Sequence, residues 1–219
     1  MNKRKEIKVM KDKNSLIVDK DVTNLNNSDI KKVLQSNLSN FPLGDEFGHR
    51  AAGDKIEAES AKIFENILPD NFVPPKTTRT IDDFTLIFEN SENLYDVKSH
   101  FIQEKKNGFS MPNLISVKRL KGLLEDDTKS LSYIFVDYTR QNKNVLVGDI
   151  DVRYIWELDW SILGIGALGK GQLQIKDANK KLVFTDMGKD AWFDILKIQV
   201  NEFYKKELIK IKKEIELWK

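Results

Sequence analysis

Asp96 and Lys98 stand two residues apart in LYDVKSHF, residues 94–101. On an extended strand, side chains at that spacing project from the same face, so a carboxylate and an ammonium are held side by side. A second carboxylate, Asp83, lies thirteen residues upstream of Asp96 at the start of DFTLIF. If Glu89–Asn93 form a hairpin turn, Asp83 falls across from Asp96 and Lys98. Hard divalent cations take oxygen ligands. A metal beside a phosphodiester polarises the phosphoryl group and supplies hydroxide at neutral pH. The spacing therefore points to metal-dependent hydrolysis of a phosphodiester.

An Asp-x-Lys pair in a chain with 32% charged residues is commonly a solvated strand face. Here Leu94, Tyr95 and Val97 make the strand largely apolar, which sets the pair at the margin of a core. Phe84, Leu86 and Phe88 alternate with Asp83, Thr85 and Ile87, the pattern of a half-buried strand.

The surrounding elements must position that face. From Gly53 the chain reads as a helix: Ile56, Ile63, Phe64, Ile67 and Leu68 repeat at helical spacing up to Pro69. At roughly 100° per residue from Ile56, Glu57 borders the apolar stripe and Glu59 lies farther round. After the hairpin come a loop (Phe101–Met111), a helix (Pro112–Leu124) and a β-forming run (Ser132–Arg140). Asn142 and Lys143 then turn the chain into a further strand, VLVGDIDV. A strand, helix, strand order gives the expected α/β (α+β) class: a central mixed sheet flanked by helices.

Glycines punctuate LGIGALGKGQLQIKD, with Lys170 among them. No Ser or Thr follows the lysine, so this is no Walker phosphate loop. A turn between strands is the simple reading, and close approach of backbone to base edges the functional one. Lys189–Lys219 is an amphipathic helix carrying Trp192, Ile195, Leu196, Val200 and Phe203, then Leu208, Ile211, Ile215 and Trp218; a second subunit could use its end. Trp156, Trp160, Trp192 and Trp218 are expected to anchor packing.

Composition narrows the classes further. The chain of 219 residues contains no cysteine, which removes disulfides, thiolate–zinc sites and thiol catalysis. Its two histidines, His49 and His100, are too few for a histidine-rich metal site. Net charge is +2, compatible with an enzyme that grips a polyanion through local patches. No apolar run approaches membrane-spanning length and no signal core is visible, so a cytoplasmic location without membrane contact is expected. Residues 1–12 read as a basic tail, 13–219 as one domain, and Asp29–Leu38 as a short helix.

The chain resembles the PD-(D/E)xK nuclease superfamily, and in detail the type II restriction endonucleases of the EcoRV and HincII group. PKTTRTIDDFTL (Pro75–Leu86) is similar to the loop and strand presenting the first metal-binding Asp. GHRAAGDKIEAESAKIFENILPD (Gly48–Asp70) is similar to the active-site helix, and LYDVKSH with MPNLISVKRL to the catalytic strand and the helix after it. Asp82 stands where the motif has Pro, a backbone preference and not a ligand.

The resemblance implies a restriction-endonuclease-like core and Mg²⁺-dependent cleavage of both strands of a short palindromic DNA site, with blunt ends. It implies Asp83, Asp96 and the carbonyl of Val97 as metal ligands, and Lys98 with Glu57 as further catalytic residues. Mn²⁺ would substitute for Mg²⁺, and Ca²⁺ would support binding without cleavage. DNA contacts would come from Lys76, Thr77, Thr78 and Arg79 along the minor groove. Ser110 and Asn113 would contribute others, as would Gly164, Gly166, Ala167, Lys170 and Gln172 toward base edges. The expected partners are double-stranded DNA, a second copy of the chain and a cognate DNA methyltransferase of the same system. A repair or junction-resolving nuclease of this fold, or a DNA-binding module without activity, is the alternative.

Overall fold

Phe84, Leu86 and Phe88 alternate along β3 (Phe84–Phe88) and turn their rings and branches to one face of a sheet. The computed structural model describes residues 25–43, 48–77, 80–102, 113–166, 171–176 and 181–219. They fall into two compact units, the described residues of 1–107 with 127–155, and those of 108–126 with 156–219.

The first unit is built on a six-stranded sheet. Its strands are β1 (Asn40–Pro42), β2 (Phe72–Val73), β3, β4 (Ser91–Phe101), β6 (Lys129–Gln141) and β7 (Asn144–Tyr154), in spatial order β1-β7-β6-β4-β3-β2. All neighbours are antiparallel except β4 and β6, which run parallel with Asp96 opposite Tyr133 and Lys98 opposite Phe135. A parallel pair needs a long crossover, and the chain between β4 and β6 contains β5 (Asn113–Ser116) and α3 (Val117–Leu124).

The β3–β4 hairpin is tighter than the expected Glu89–Asn93 turn. Phe88 already pairs with Ser91, so Glu89 and Asn90 alone make the turn, Glu89 at a φ of 44°. Its ladder sets Phe84 opposite Tyr95, ring on ring at 5.1 Å, and Phe64 of α2 (His49–Ile67) stacks on Phe84 at the same distance. Ile30, Val33 and Leu34 of α1 (Asn27–Asn37) and Ala52, Ile56 and Phe64 of α2 complete this core with Val97, Ile134, Val136 and Val152. Truncating one such buried aromatic costs about 3–5 kcal/mol, so the face opposite Asp96 and Lys98 is a rigid base for them.

The second unit carries a three-stranded antiparallel sheet in order β5-β9-β8, with β8 (Leu163–Gly166) and β9 (Gln172–Ile175). Here the structure corrects the expected helix over Pro112–Leu124. Asn113–Ser116 is a strand paired with β9, and the helix begins only at Val117, where the Ser116 hydroxyl accepts from the Arg119 amide at 3.4 Å. The described helix α4 (Lys189–Leu217) starts at the expected residue. Trp192 is fully buried, its indole N–H donating to the Leu158 carbonyl at 2.8 Å and its ring against Trp160 at 4.9 Å. Trp218 is no packing anchor among the described residues: it is 90% exposed.

Candidate active site

The ladder between β3 and β4 runs one residue past the strand. The Asp83 amide donates to the Tyr95 carbonyl at 2.8 Å, and the Asp83 carboxylate then accepts from the Val97 amide at 2.6 Å. A side chain thus occupies the place where the next strand residue would have offered its carbonyl. In a strand, the N–H and C=O of one residue point to the same side, so the Val97 carbonyl faces that same edge. Asp82 is turned elsewhere, its carboxylate held by the Thr85 hydroxyl at 2.8 Å. The two adjacent aspartates are distinguished by these bonds.

On β4, Asp96 is 5% exposed and contacts the Lys98 ammonium at 2.5 Å. Lys98 Nζ also lies 5.9 Å from the centre of the Tyr133 ring, a cation–π contact at the outer end of its range. Two residues farther along β4, His100 Nδ1 is 2.9 Å from Asp137 Oδ1, a neighbouring pair between the same two strands.

Helix α2 lies close against β4 at Gly53. A Cβ there would stand 2.8 Å from the Ser99 hydroxyl of β4. One turn later Glu57 is close enough to Asp83 and Lys98 for both to act on its charge. Glu59 instead pairs with Lys55 at 3.0 Å. Asp83, Asp96, Lys98 and Glu57 are therefore brought together, and Glu59 is engaged elsewhere.

The electrostatics follow from three carboxylates around one ammonium. Burial raises Asp96 to about 8, with Lys98 opposing and the hydrogen-bonded Asp83 adding to the rise. Asp83 is also raised by burial, against the pull of the Val97 amide and Lys98. Glu57 is held at about 7, first by burial and then by the charge of Asp83. One ammonium does not balance this cluster, and the donors on offer are hard oxygens. Among the described residues no three His, Cys, Asp or Glu side chains are already arranged to hold a metal ion. The donor set suits a cation such as Mg²⁺, which takes one or two carboxylates and keeps several of its waters. Asp83, Asp96 and the Val97 carbonyl could hold it.

Tyr133 was not among the expected site residues. It is fully buried beside Asp96 in the parallel register, and among the described residues its hydroxyl has no hydrogen-bond partner. Burial keeps its phenol protonated well above the usual range, and the charges of Asp96 and Asp83 reinforce this. A buried unpaired hydroxyl costs about 1–3 kcal/mol. We predict that Tyr133→Phe keeps or raises the melting temperature, whereas Tyr133→Ala lowers stability by about 3–5 kcal/mol. Thermal melts of both variants check this. A Tyr133→Phe variant as unstable as Tyr133→Ala would mean that the hydroxyl is bonded.

The expected DNA-contacting residues separate by unit. Lys76 and Thr77 are exposed before β3 in the first unit, and Thr78 and Arg79 lie outside the described residues. In the second unit Asn113, Gly164, Gly166 and Gln172 share the three-stranded sheet, with Asn113 and Gly164 opposite Gln174 and Gly166 opposite Gln172. Ser110, Ala167 and Lys170 lie outside the described residues. Leu173 and Ile175 fill the buried face. The alternate face carries Gln174 and Lys176, whose side chains lie over Gly166 and Gly164: a Cβ at either glycine would meet them at 2.6–2.7 Å. Gln174 and Lys176 were overlooked in the sequence, although the alternation of QLQIK placed them with Gln172.

No protein-family model matches the chain, and no curated protein matches it in sequence. Among solved structures the chain is similar to the NlaIV restriction endonuclease, at a TM-score of 0.51 and 15% identity, covering 84% of this chain and 90% of that one. The fold is restriction-endonuclease-like, a mixed central sheet with helices about it. Among the described residues no helix is long and apolar enough to cross a membrane.

Proposed function

We propose that this chain is a metal-dependent deoxyribonuclease, a type II restriction endonuclease of the EcoRV and HincII group in the PD-(D/E)xK superfamily. In this reading it hydrolyses both strands of a short palindromic duplex site, leaves blunt ends, acts as a homodimer and is matched in the cell by a DNA methyltransferase. The observation that carries the reading is the meeting of Asp83, Asp96, Lys98 and Glu57 at the end of β3, on a restriction-endonuclease-like fold.

Asp83 and Asp96, together with the Val97 carbonyl, would hold Mg²⁺. When bound, such a cation would supply Lewis-acid polarisation of the phosphoryl group and lower the pKa of the attacking water. Lys98, fixed by Asp96 and the Tyr133 ring, directs its ammonium to the attacking water and to charge growing on the phosphate oxygens. Water oxygen bonds to phosphorus as the P–O bond to the leaving sugar breaks, and the leaving oxygen takes a proton. Glu57, with a pKa held near 7, can accept a proton from water at neutral pH. The open polar face of β5, β8 and β9, with Asn113, Gln172 and Gln174, offers amide groups suited to base edges. Lys76 and Arg79 supply cations for phosphates.

The test is digestion of a sequenced phage DNA in Mg²⁺, Mn²⁺, Ca²⁺ or chelator, with the fragment ends mapped. Discrete fragments in Mg²⁺ and Mn²⁺ with blunt ends at a palindrome are expected, and in Ca²⁺ binding without cleavage. Cutting only at branched or damaged DNA would assign a junction-resolving or repair enzyme instead. Cutting in saturating chelator would end the mechanism.

A further inference from the structure

The first turns of α4 are anchored by Trp192 and Leu196, which are buried, but the helix continues with a second apolar stripe of different character. Asn201, Tyr204, Leu208, Ile211, Ile215 and Trp218 follow one another at alternating steps of three and four residues. That is the seven-residue repeat of a coiled-coil seam, with Asn201, Leu208 and Ile215 at its a positions and Tyr204, Ile211 and Trp218 at d. Leu208, Ile211 and Ile215 are each more than half exposed, at 52%, 54% and 52%, and Trp218 is 90% exposed. Ile209 and Leu217 are also exposed but lie outside this seam.

The charges beside the seam say what covers it. In this frame Glu207 and Glu214 occupy g, and Lys212 and Lys219 occupy e. Where two copies run parallel and in register, each g residue faces the e residue five positions on in the other copy. Glu207 then meets Lys212 and Glu214 meets Lys219, opposite charges at both crossings. An antiparallel pair sets g against g and e against e, glutamate on glutamate and lysine on lysine. Among the described residues, the half-buried Glu207 pairs with Lys210 at 2.6 Å, and the exposed Lys219, just past the helix, pairs with Glu216 at 2.7 Å. Such pairs are worth little and exchange readily. Asn201 at an a position is the kind of polar residue that fixes register and favours two strands.

We infer that the C-terminal half of α4, with its capping residue Trp218, is a self-association surface on which two copies of this chain pair as a parallel, in-register, two-stranded coiled coil through Leu208, Ile211, Ile215 and Trp218. This deepens the homodimer of the proposed function and locates it. The seam is too short for an isolated peptide, but here the helix is already anchored by the buried Trp192 and Leu196.

The experiment uses the full chain, without DNA or metal, in sedimentation equilibrium at micromolar concentration. The wild type is expected at twice 25.4 kDa. Glu207→Lys with Glu214→Lys, and separately Lys212→Glu with Lys219→Glu, should each raise the dissociation constant by at least about tenfold. Mixing the two variants should restore the dimer. All four positions carry partly or fully exposed surface charge, and circular dichroism checks that the variants remain folded. Orientation is read separately: the sequence has no cysteine, so Trp218→Cys should oxidise to a covalent dimer only if the two 218 positions meet. A monomeric wild type, charge variants that dimerise as tightly as wild type, or a dimer in which Trp218→Cys does not cross-link would overturn the proposal. A dimer that cuts no DNA leaves the interface standing and removes the nuclease reading, whereas a monomer that cuts DNA does the reverse.

Discussion

Asp83→Asn and Asp96→Asn are expected to abolish DNA cleavage, and Lys98→Ala to slow it by about 10²–10³-fold, the usual effect of losing one donor aimed at developing charge. The asparagine substitutions keep the shape of each side chain, and an amide oxygen at position 83 can still accept from the Val97 amide. What they remove is the negative charge that attracts a cation. Mg²⁺ affinity should therefore fall in both aspartate variants and persist in Lys98→Ala, which leaves both carboxylates in place. Cleavage rates at saturating Mg²⁺, calorimetric titration of the metal and thermal melts separate these effects. Wild-type cutting by any one of the three variants would sink the assignment of this site.

The second large effect concerns pH and metal together. Asp96 and Glu57 have pKa values of about 8 and about 7 in the folded chain, against 3.8 and 4.5 for the free side chains. Between these values the folded state retains protons that the unfolded state has released, so its stability falls as pH rises. Their contribution is fully present below about pH 4 and is lost by the time pH passes 8. The metal-free protein should thus melt at a lower temperature at pH 8 than at pH 6, and each 1 kcal/mol lost moves the midpoint by about 2–4 °C. Asp96→Asn should flatten that dependence and be more stable than wild type at pH 8, as it removes a buried charge. Binding of Mg²⁺ should release protons, since the ligands must ionise. Calorimetry in two buffers of different ionisation enthalpy counts them. Metal binding without proton release near neutral pH would mean that the cation does not sit on Asp96.

The sequence made the centre of the site legible because its geometry is local. Asp83 and Asp96 are set opposite each other by one hairpin, and Asp96 and Lys98 share a face by alternation alone. The rotation of about 100° per residue likewise separated Glu57 from Glu59. Tyr133 could not be found in that way. It reaches Asp96 through a parallel pairing between strands 37 residues apart, and no local pattern fixes the register of such a pair. Asn113–Ser116 was misread as helix because Pro112 and Asn113 are good helix-start residues. Pairing with β9 and the Ser116 cap outweighed that local preference, delaying the helix to Val117. Trp218 falls in the apolar stripe by spacing alone, but spacing does not say whether a stripe is covered by its own chain; its 90% exposure does.

The two-residue turn at Glu89 and Asn90 also bears on the order in which the molecule assembles. A short hairpin closes in about 1–10 μs, so Asp83 and Asp96 can meet while both are still hydrated and the repulsion between them is weak. Their desolvation also requires β6 with Tyr133 to dock along β4, a pairing across a long crossover that we expect to form later. If that docking is the slow, topologically demanding step, it is also the one that dehydrates charge. Protonation of the pair should lower that barrier along with raising equilibrium stability, so stopped-flow refolding should be faster at pH 6 than at pH 8. Equal rates would place the burial of the acids after the rate-limiting step.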